Sequence, residues 1–165
     1  MTQKYLMAND LRLAYDEFGT PNDPAIILIM GLGTQMIAWP ETFCQGLADK
    51  GFRVIRFDNR DIGLSQKIEP KKPVSIPKLF LRKKMGLSIR PPYTLRDMAK
   101  DAIGVLDFLE TEQAHWVGAS MGGMIAQILV AEYPERSLSL TSIMSTSGNP
   151  RLPQSSWKVT KQLIT

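Results

Sequence analysis

The spacing of apolar residues changes several times along the chain, and each change marks an element. Residues 4–8 (KYLMA) and 11–18 (LRLAYDEF) read as short strands joined at Asn9-Asp10, a pair that tolerates left-handed backbone and so marks a hairpin. Residues 25–30 (AIILIM) are an unbroken apolar run between Pro24 and Gly31, the pattern of a buried parallel strand. Pro40 suits a first helical position, and this helix is expected to end near Lys50-Gly51, with a cation in its last turn and glycine beyond. Residues 52–57 (FRVIRF) form the next strand and lead into the polar turn DNRDIGLS. Further on, Thr94 with Asp97 three residues later makes a helix start. Leu95, Met98, Ala99, Ala102, Ile103, Leu106 and Leu109 then recur at spacings of three and four, so one stripe of this helix faces a core. Residues 114–119 (AHWVGA) read as a strand, the following MGGMIAQILVAEYP as a mostly apolar helix stopped by Pro134, and 137–144 (SLSLTSIM) as a last strand.

Strands alternating with helices from residue 25 onward imply right-handed crossovers and a mainly parallel sheet with helices on both faces, the first hairpin forming an antiparallel edge. In such α/β sheets function gathers at the C-terminal ends of the strands, where the loops after Met30, Phe57 and Ala119 fall.

Composition adjusts this picture in a few places. The single cysteine, Cys44, and the single histidine, His115, argue against a disulfide framework and against Cys- or His-based metal sites, and Cys44 reads as a packed thiol. The N-terminus has no apolar signal core and no run is long enough to span a bilayer, so a cytoplasmic protein without a transmembrane segment is expected. The net charge of +4 is local: residues 67–92 hold eight Lys or Arg against Glu69 alone, which makes that stretch +7 and the rest −3. It reads as a basic insertion, a solvated loop or lid; nothing in it resembles a nucleic-acid-binding module.

Gly118-Ala119-Ser120-Met121-Gly122 carries the chemistry. A Gly-x-Ser-x-Gly string arises by chance in this length with a probability of about 0.05, so its context matters more than its letters. Here a strand must pass directly into a helix through one strained residue, glycines on either side let the backbones approach, and the serine hydroxyl stands out. The helix start points the Met121 amide at the reacting oxygen. Gly31-Leu32-Gly33, after the first buried strand, offers a second amide, so Leu32 and Met121 are the candidate oxyanion donors, with Ser120 the nucleophile.

Together IILIMGLGTQMIAWP, VIRFDNRDIGLS, YTLRDMAKDAIGVLDFLE and AHWVGASMGGMIAQILVAEYPERSLSLTSIMST resemble the α/β-hydrolase family, in particular its esterase-like branch. Met30 stands where that branch often has histidine, a change that spares a backbone donor. The resemblance implies an α/β-hydrolase-type, mainly parallel sheet with an antiparallel first hairpin, no cofactor, a small-molecule ester substrate, and a bracing rather than catalytic role for Asp58 and Arg60. It also implies a triad completed by an acid and a histidine after later strands, so that residues 1–165 would be the N-terminal part of one domain, cut after the sixth strand, with the start of a cap helix at about 154–165. His115 lies five residues before Ser120 along one strand, roughly 16 Å away at about 3.3 Å per residue, too far to serve as its base. The chain alone is therefore expected to be nearly inactive. Strand 137–144 would be an open edge that pairs with another copy or a complementing chain. Two rivals compete: a non-catalytic protein on the same scaffold, and a nucleotide-binding Rossmann unit, which Met36 in place of the third fingerprint glycine opposes.

Overall fold

The computed structural model describes residues 4–68 and 91–149, together with 151, 152 and 156. Most of the basic stretch 67–92 and nearly all of the proposed cap-helix segment therefore lie outside the described residues.

Six strands form one sheet: β1 (Lys4–Ala8), β2 (Leu11–Phe18), β3 (Ala25–Ile29), β4 (Arg53–Phe57), β5 (Ala114–Ala119) and β6 (Ser137–Ile143), in the spatial order β1-β2-β4-β3-β5-β6. β1 pairs antiparallel with β2, and β2 with β4; the pairs β4-β3, β3-β5 and β5-β6 are parallel. This is the expected mainly parallel sheet with an antiparallel first hairpin. At the hairpin turn Asn9 and Asp10 have φ of 48° and 61°, the left-handed pair that matches the twist of the flanking strands.

Among the described residues three helices cover the two faces. α1 (Glu41–Ala48) packs its Cys44 with Ile26, Leu28 and Val54 on one side. α2 (Leu95–Phe108) and α3 (Met121–Glu132) pack on the other, where Ile27, Ile29, Ile55, Phe57 and Trp116 meet Met98, Ala102, Leu106, Ile125 and Leu129. Successive β3 residues thus feed opposite cores, which is why that strand is apolar throughout.

The boundaries differ from expectation in small, explicable ways. Pro40 is the residue before α1, with extended ψ of 144°, rather than its first helical residue, and α1 ends at Ala48, so Lys50 lies in the following turn. The buried stripe of α2 includes Val105 and the charged Asp101, while Ile103 and Leu109 pack only at its margin. Short 3-10 turns at Met36–Ala38 and Pro134–Arg136 escaped the hydrophobic pattern because each is shorter than one period of it. β4 buries two arginines as well as its apolar residues. Arg53 Nε donates to Glu17 at 2.6 Å and Arg56 Nη2 to Asp16 at 2.6 Å, so each charge enters the fold with its counterion. Among the described residues β6 pairs on one side only, and Leu138, Leu140 and Ile143 are exposed on it.

Candidate active site

β5 ends at Ala119 and α3 begins at Met121, leaving Ser120 alone to reverse the chain. It does so at φ 53° and ψ −120°, a conformation L-residues rarely hold, and its side chain is exposed at the C-terminal edge of the sheet. Its own amide donates to the Ile143 carbonyl at 2.9 Å, and its carbonyl accepts from Gly123 and Met124, so the strained residue is fixed on both sides. Among the described residues Ser120 Oγ makes no hydrogen bond, leaving the hydroxyl available to a substrate.

The glycines on either side are required by space. A Cβ on Gly118 would collide with the Gly122 carbonyl, and one on Gly122 with the Ile29 carbonyl, so neither backbone approach survives a side chain. Gly31 faces the serine: a Cβ there would come within 3.1 Å of Ser120 Cβ and 3.5 Å of its Oγ. The β3 loop therefore passes directly beside the nucleophile candidate. Gly33 has open space around it and instead takes φ of 70°, which turns the loop back after the fully exposed side chain of Leu32.

Among the described residues both candidate oxyanion amides are free of backbone partners. Met121 is the first residue of α3 and has no carbonyl one turn earlier within the helix. The Leu32 amide makes no hydrogen bond among the described residues. The tip of β4 holds the loop that carries Leu32 at both ends. Asn59 Nδ2 donates to the Met30 carbonyl at 3.0 Å, and Asp58 Oδ1 accepts from the Met36 amide at 2.7 Å. Asp58 Oδ2 also accepts from the Leu64 amide at 3.0 Å, and its carbonyl accepts from Ser65 Oγ at 2.6 Å. With every carboxylate oxygen committed to a loop amide, Asp58 is a brace. Sequence reading named Asp58 but missed Asn59, whose only signal was its place beside that aspartate.

Arg60 is buried and forks onto Asp101 of α2, Nε to Oδ2 at 2.6 Å and Nη2 to Oδ1 at 2.5 Å. Asn9 Nδ2 adds a third hydrogen bond to Asp101 at 2.9 Å, and the guanidinium lies 5.0 Å from the Tyr93 ring centre. Burial pushes the Asp101 carboxyl above the usual carboxylate range despite these donors. Burial, with a hydrogen bond to Asp61, pushes the Tyr93 hydroxyl up to about 12. This cluster ties the β4 loop to α2, a structural rather than catalytic placement.

His115 sits at the opposite end of β5 from Ser120. Its Nδ1 is 2.8 Å from Ser139 Oγ on β6, and its ring meets Phe52 edge-on. Among the described residues no group of three His, Cys, Asp or Glu side chains could hold a metal ion, and no helix is long and apolar enough to cross a membrane.

Known proteins resemble this chain in sequence and in fold. A rhodomycin D methylesterase from Streptomyces sp. strain C5 is 32% identical over 144 residues, covering 87% of this chain and 42% of that protein. The 3-oxoadipate enol-lactonase 2 of Acinetobacter baylyi is 34% identical over 131 residues, covering 79% and 40%. Among solved structures, the enol-lactonase from Burkholderia xenovorans LB400 superposes with a TM-score of 0.62 at 29% identity, over 81% of this chain and 44% of that one. The chain thus spans about two fifths of the length of the curated relatives it matches. Residues 24–163 match the model of the alpha/beta hydrolase fold, and with the strand order, the elbow at Ser120 and these hydrolase relatives, the chain belongs to the α/β-hydrolase family.

Proposed function

We propose that this chain carries the nucleophile and the oxyanion donors of a serine hydrolase that opens carboxylic esters through an acyl-enzyme. Ser120 Oγ attacks the carbonyl carbon and the π pair moves onto oxygen, where the Leu32 and Met121 amides receive the charge. Collapse of that adduct expels the alcohol, and the proton taken from Ser120 passes through a base to the leaving oxygen. Water then attacks the acyl-enzyme by the same route, releasing the acid and restoring the serine. One observation carries the reading: an exposed serine held at positive φ between a strand and a helix, where glycines alone allow the chain to pass. The names of the methylesterase and enol-lactonase relatives support an ester or lactone as substrate.

The base and acid of the triad are assigned to residues outside this sequence, since its one histidine is tied to Ser139 far from Ser120. Without them the chain is expected to retain only what the oxyanion donors and binding supply. The exposed apolar edge of β6 is where we place the complementing segment or second copy, as one further parallel strand. The reading includes a cytoplasmic setting, consistent with a lone buried thiol at Cys44.

Intact mass of the chain after exposure to a fluorophosphonate, with Ser120→Ala as control, tests the proposal. Stoichiometric labelling lost in the variant means that a base reaches Ser120. A folded chain that stays unlabelled even with its complementing partner supports the alternative, a non-catalytic protein on the hydrolase scaffold.

A further inference from the structure

We propose that the cleft beside Ser120 selects substrates presenting an uncharged, apolar group and rejects those that place a carboxylate there. The inference rests on the serine hydrolase reading for what is bound, namely the acyl or alcohol portion of an ester.

The cleft, about 310 Å³, opens at Leu32 and Met121, whose amides are the oxyanion candidates, and runs toward the start of α2. At about 30 Å³ per water-sized group it has room for roughly ten such groups, enough for a medium-length chain. Leu32, Ile62, Leu95, Met98 and Met121 supply apolar walls, with the Tyr93 ring at one side. Met98 and Met121 are unbranched and polarizable, and they adapt to the shape of what they enclose.

An arginine also lines the cleft, and alone it would suggest a carboxylate partner. Its hydrogen bonds oppose that assignment. Arg60 commits Nε and Nη2 to Asp101, and Nη2 also to the Asp97 carbonyl at 3.3 Å, so the Nε–Nη2 edge that would grip a carboxylate is already filled by a protein carboxylate. The other polar groups of the wall are engaged as well. The Tyr93 hydroxyl bonds Asp61, and Thr94 Oγ1 donates to Asp97 Oδ2 at 2.8 Å while accepting from the Asp97 amide at 3.3 Å. Two carboxylates, Asp97 and Asp101, thus face the one guanidinium. An anionic substrate group would lose its water and find the paired edge of the guanidinium already taken by a protein carboxylate, whereas an alkyl or aryl group loses nothing there.

The test uses the Ser120→Ala chain carrying ¹³C-methyl methionine, with the Met98 and Met121 signals assigned through Met98→Leu and Met121→Leu. Methyl hexanoate and monomethyl adipate, similar in length and differing by one carboxylate, are titrated against it by NMR. We expect methyl hexanoate to shift both signals saturably and monomethyl adipate to bind at least about tenfold more weakly. Ile62→Trp, which fills the cleft from a loop position, is expected to abolish the shifts. Equal or tighter binding of the carboxylate ester, no shift of either methyl with either ester, or shifts unaffected by Ile62→Trp would each overturn the proposal. Because this variant has no hydroxyl, the outcome does not depend on whether Ser120 reacts; failure of the nucleophile reading appears in the fluorophosphonate labelling instead.

Discussion

Replacing Arg60 with leucine should be among the most damaging single changes that leave the strands untouched. The side chain is 6% exposed and supplies two of the three hydrogen bonds that Asp101 receives, leaving only that from Asn9. Two charge-assisted bonds at about 1.5–3 kcal/mol each, or about 3–5 kcal/mol for breaking a buried pair from one side, give concordant figures. Against a total stability of about 5–15 kcal/mol for a domain, that is a large fraction. The pH dependence identifies the cause. Burial already raises the Asp101 carboxyl, and without Arg60 it rises further, so the folded variant binds a proton that the unfolded chain has released. More protons bound in the folded state means stability that increases as pH falls, so the deficit at about pH 5 should be smaller than at about pH 8. Asp101→Asn strands the guanidinium instead, which cannot lose its proton, so its deficit should stay flat over that range. Urea unfolding followed by tryptophan fluorescence, with the fully buried Trp116 as reporter, measures all three chains. A loss below about 1 kcal/mol for Arg60→Leu, or a deficit that grows toward acid, would refute the account.

Ser120→Gly should raise stability by about 1 kcal/mol, because glycine takes positive φ without the Cβ penalty, while fluorophosphonate labelling disappears; a lower urea midpoint than wild type would show that the elbow is unstrained. Thr94→Ala removes the side-chain half of a capping box and should cost about 1 kcal/mol. Hydrogen bonds from the Thr94 side chain and amide hold the Asp97 carboxyl below its ordinary range, a contribution present above that range and lost as pH falls through the lowered value; in the variant, which keeps the amide, an NMR titration should find Asp97 moved part of the way back up, and an unchanged Asp97 would count against the box. Leu140→Lys places a charge on the open β6 edge and should reduce concentration-dependent association seen by sedimentation velocity; a wild-type chain monomeric at every concentration, with no complementing segment bound, would remove the basis for that edge as an interface.

The strands were legible because each of them repeats a simple pattern. Residues 25–29 are apolar at every position since β3 has a core on both sides, and residues 11–18 alternate more because β2 lies nearer an edge. The Ser120 elbow was legible because its glycines answer to a spatial requirement that no other residue meets. Hydrophobic periodicity says nothing, by contrast, about polar residues that enter the interior in pairs. Arg53, Arg56 and Asp101 look like surface positions until their partners Glu17, Asp16 and Arg60, each about 36 to 41 residues away in sequence, are brought alongside. Asn59 belongs to the same class: its importance lies in a hydrogen bond to Met30, 29 residues earlier.

These long-range polar contacts converge on the candidate site from a direction the serine motif alone does not reveal. The nucleophile candidate is positioned by β5, α3 and the Ile143 carbonyl of β6, whereas the oxyanion loop is held by Asn59 and Asp58 at the tip of β4. The two halves touch where Gly31 faces Ser120 and where Gly122 packs on the Ile29 carbonyl. Neither contact involves a titrating group, and all the tethers are backbone bonds or bonds from buried side chains. On the proposed reading, the geometry that would receive negative charge is therefore built in advance of any base, as electrostatic preorganisation requires. It follows that supplying the proposed base should change the reactivity of Ser120 far more than the affinity of the cleft, because the candidate binding surface and candidate oxyanion donors already lie within the described residues.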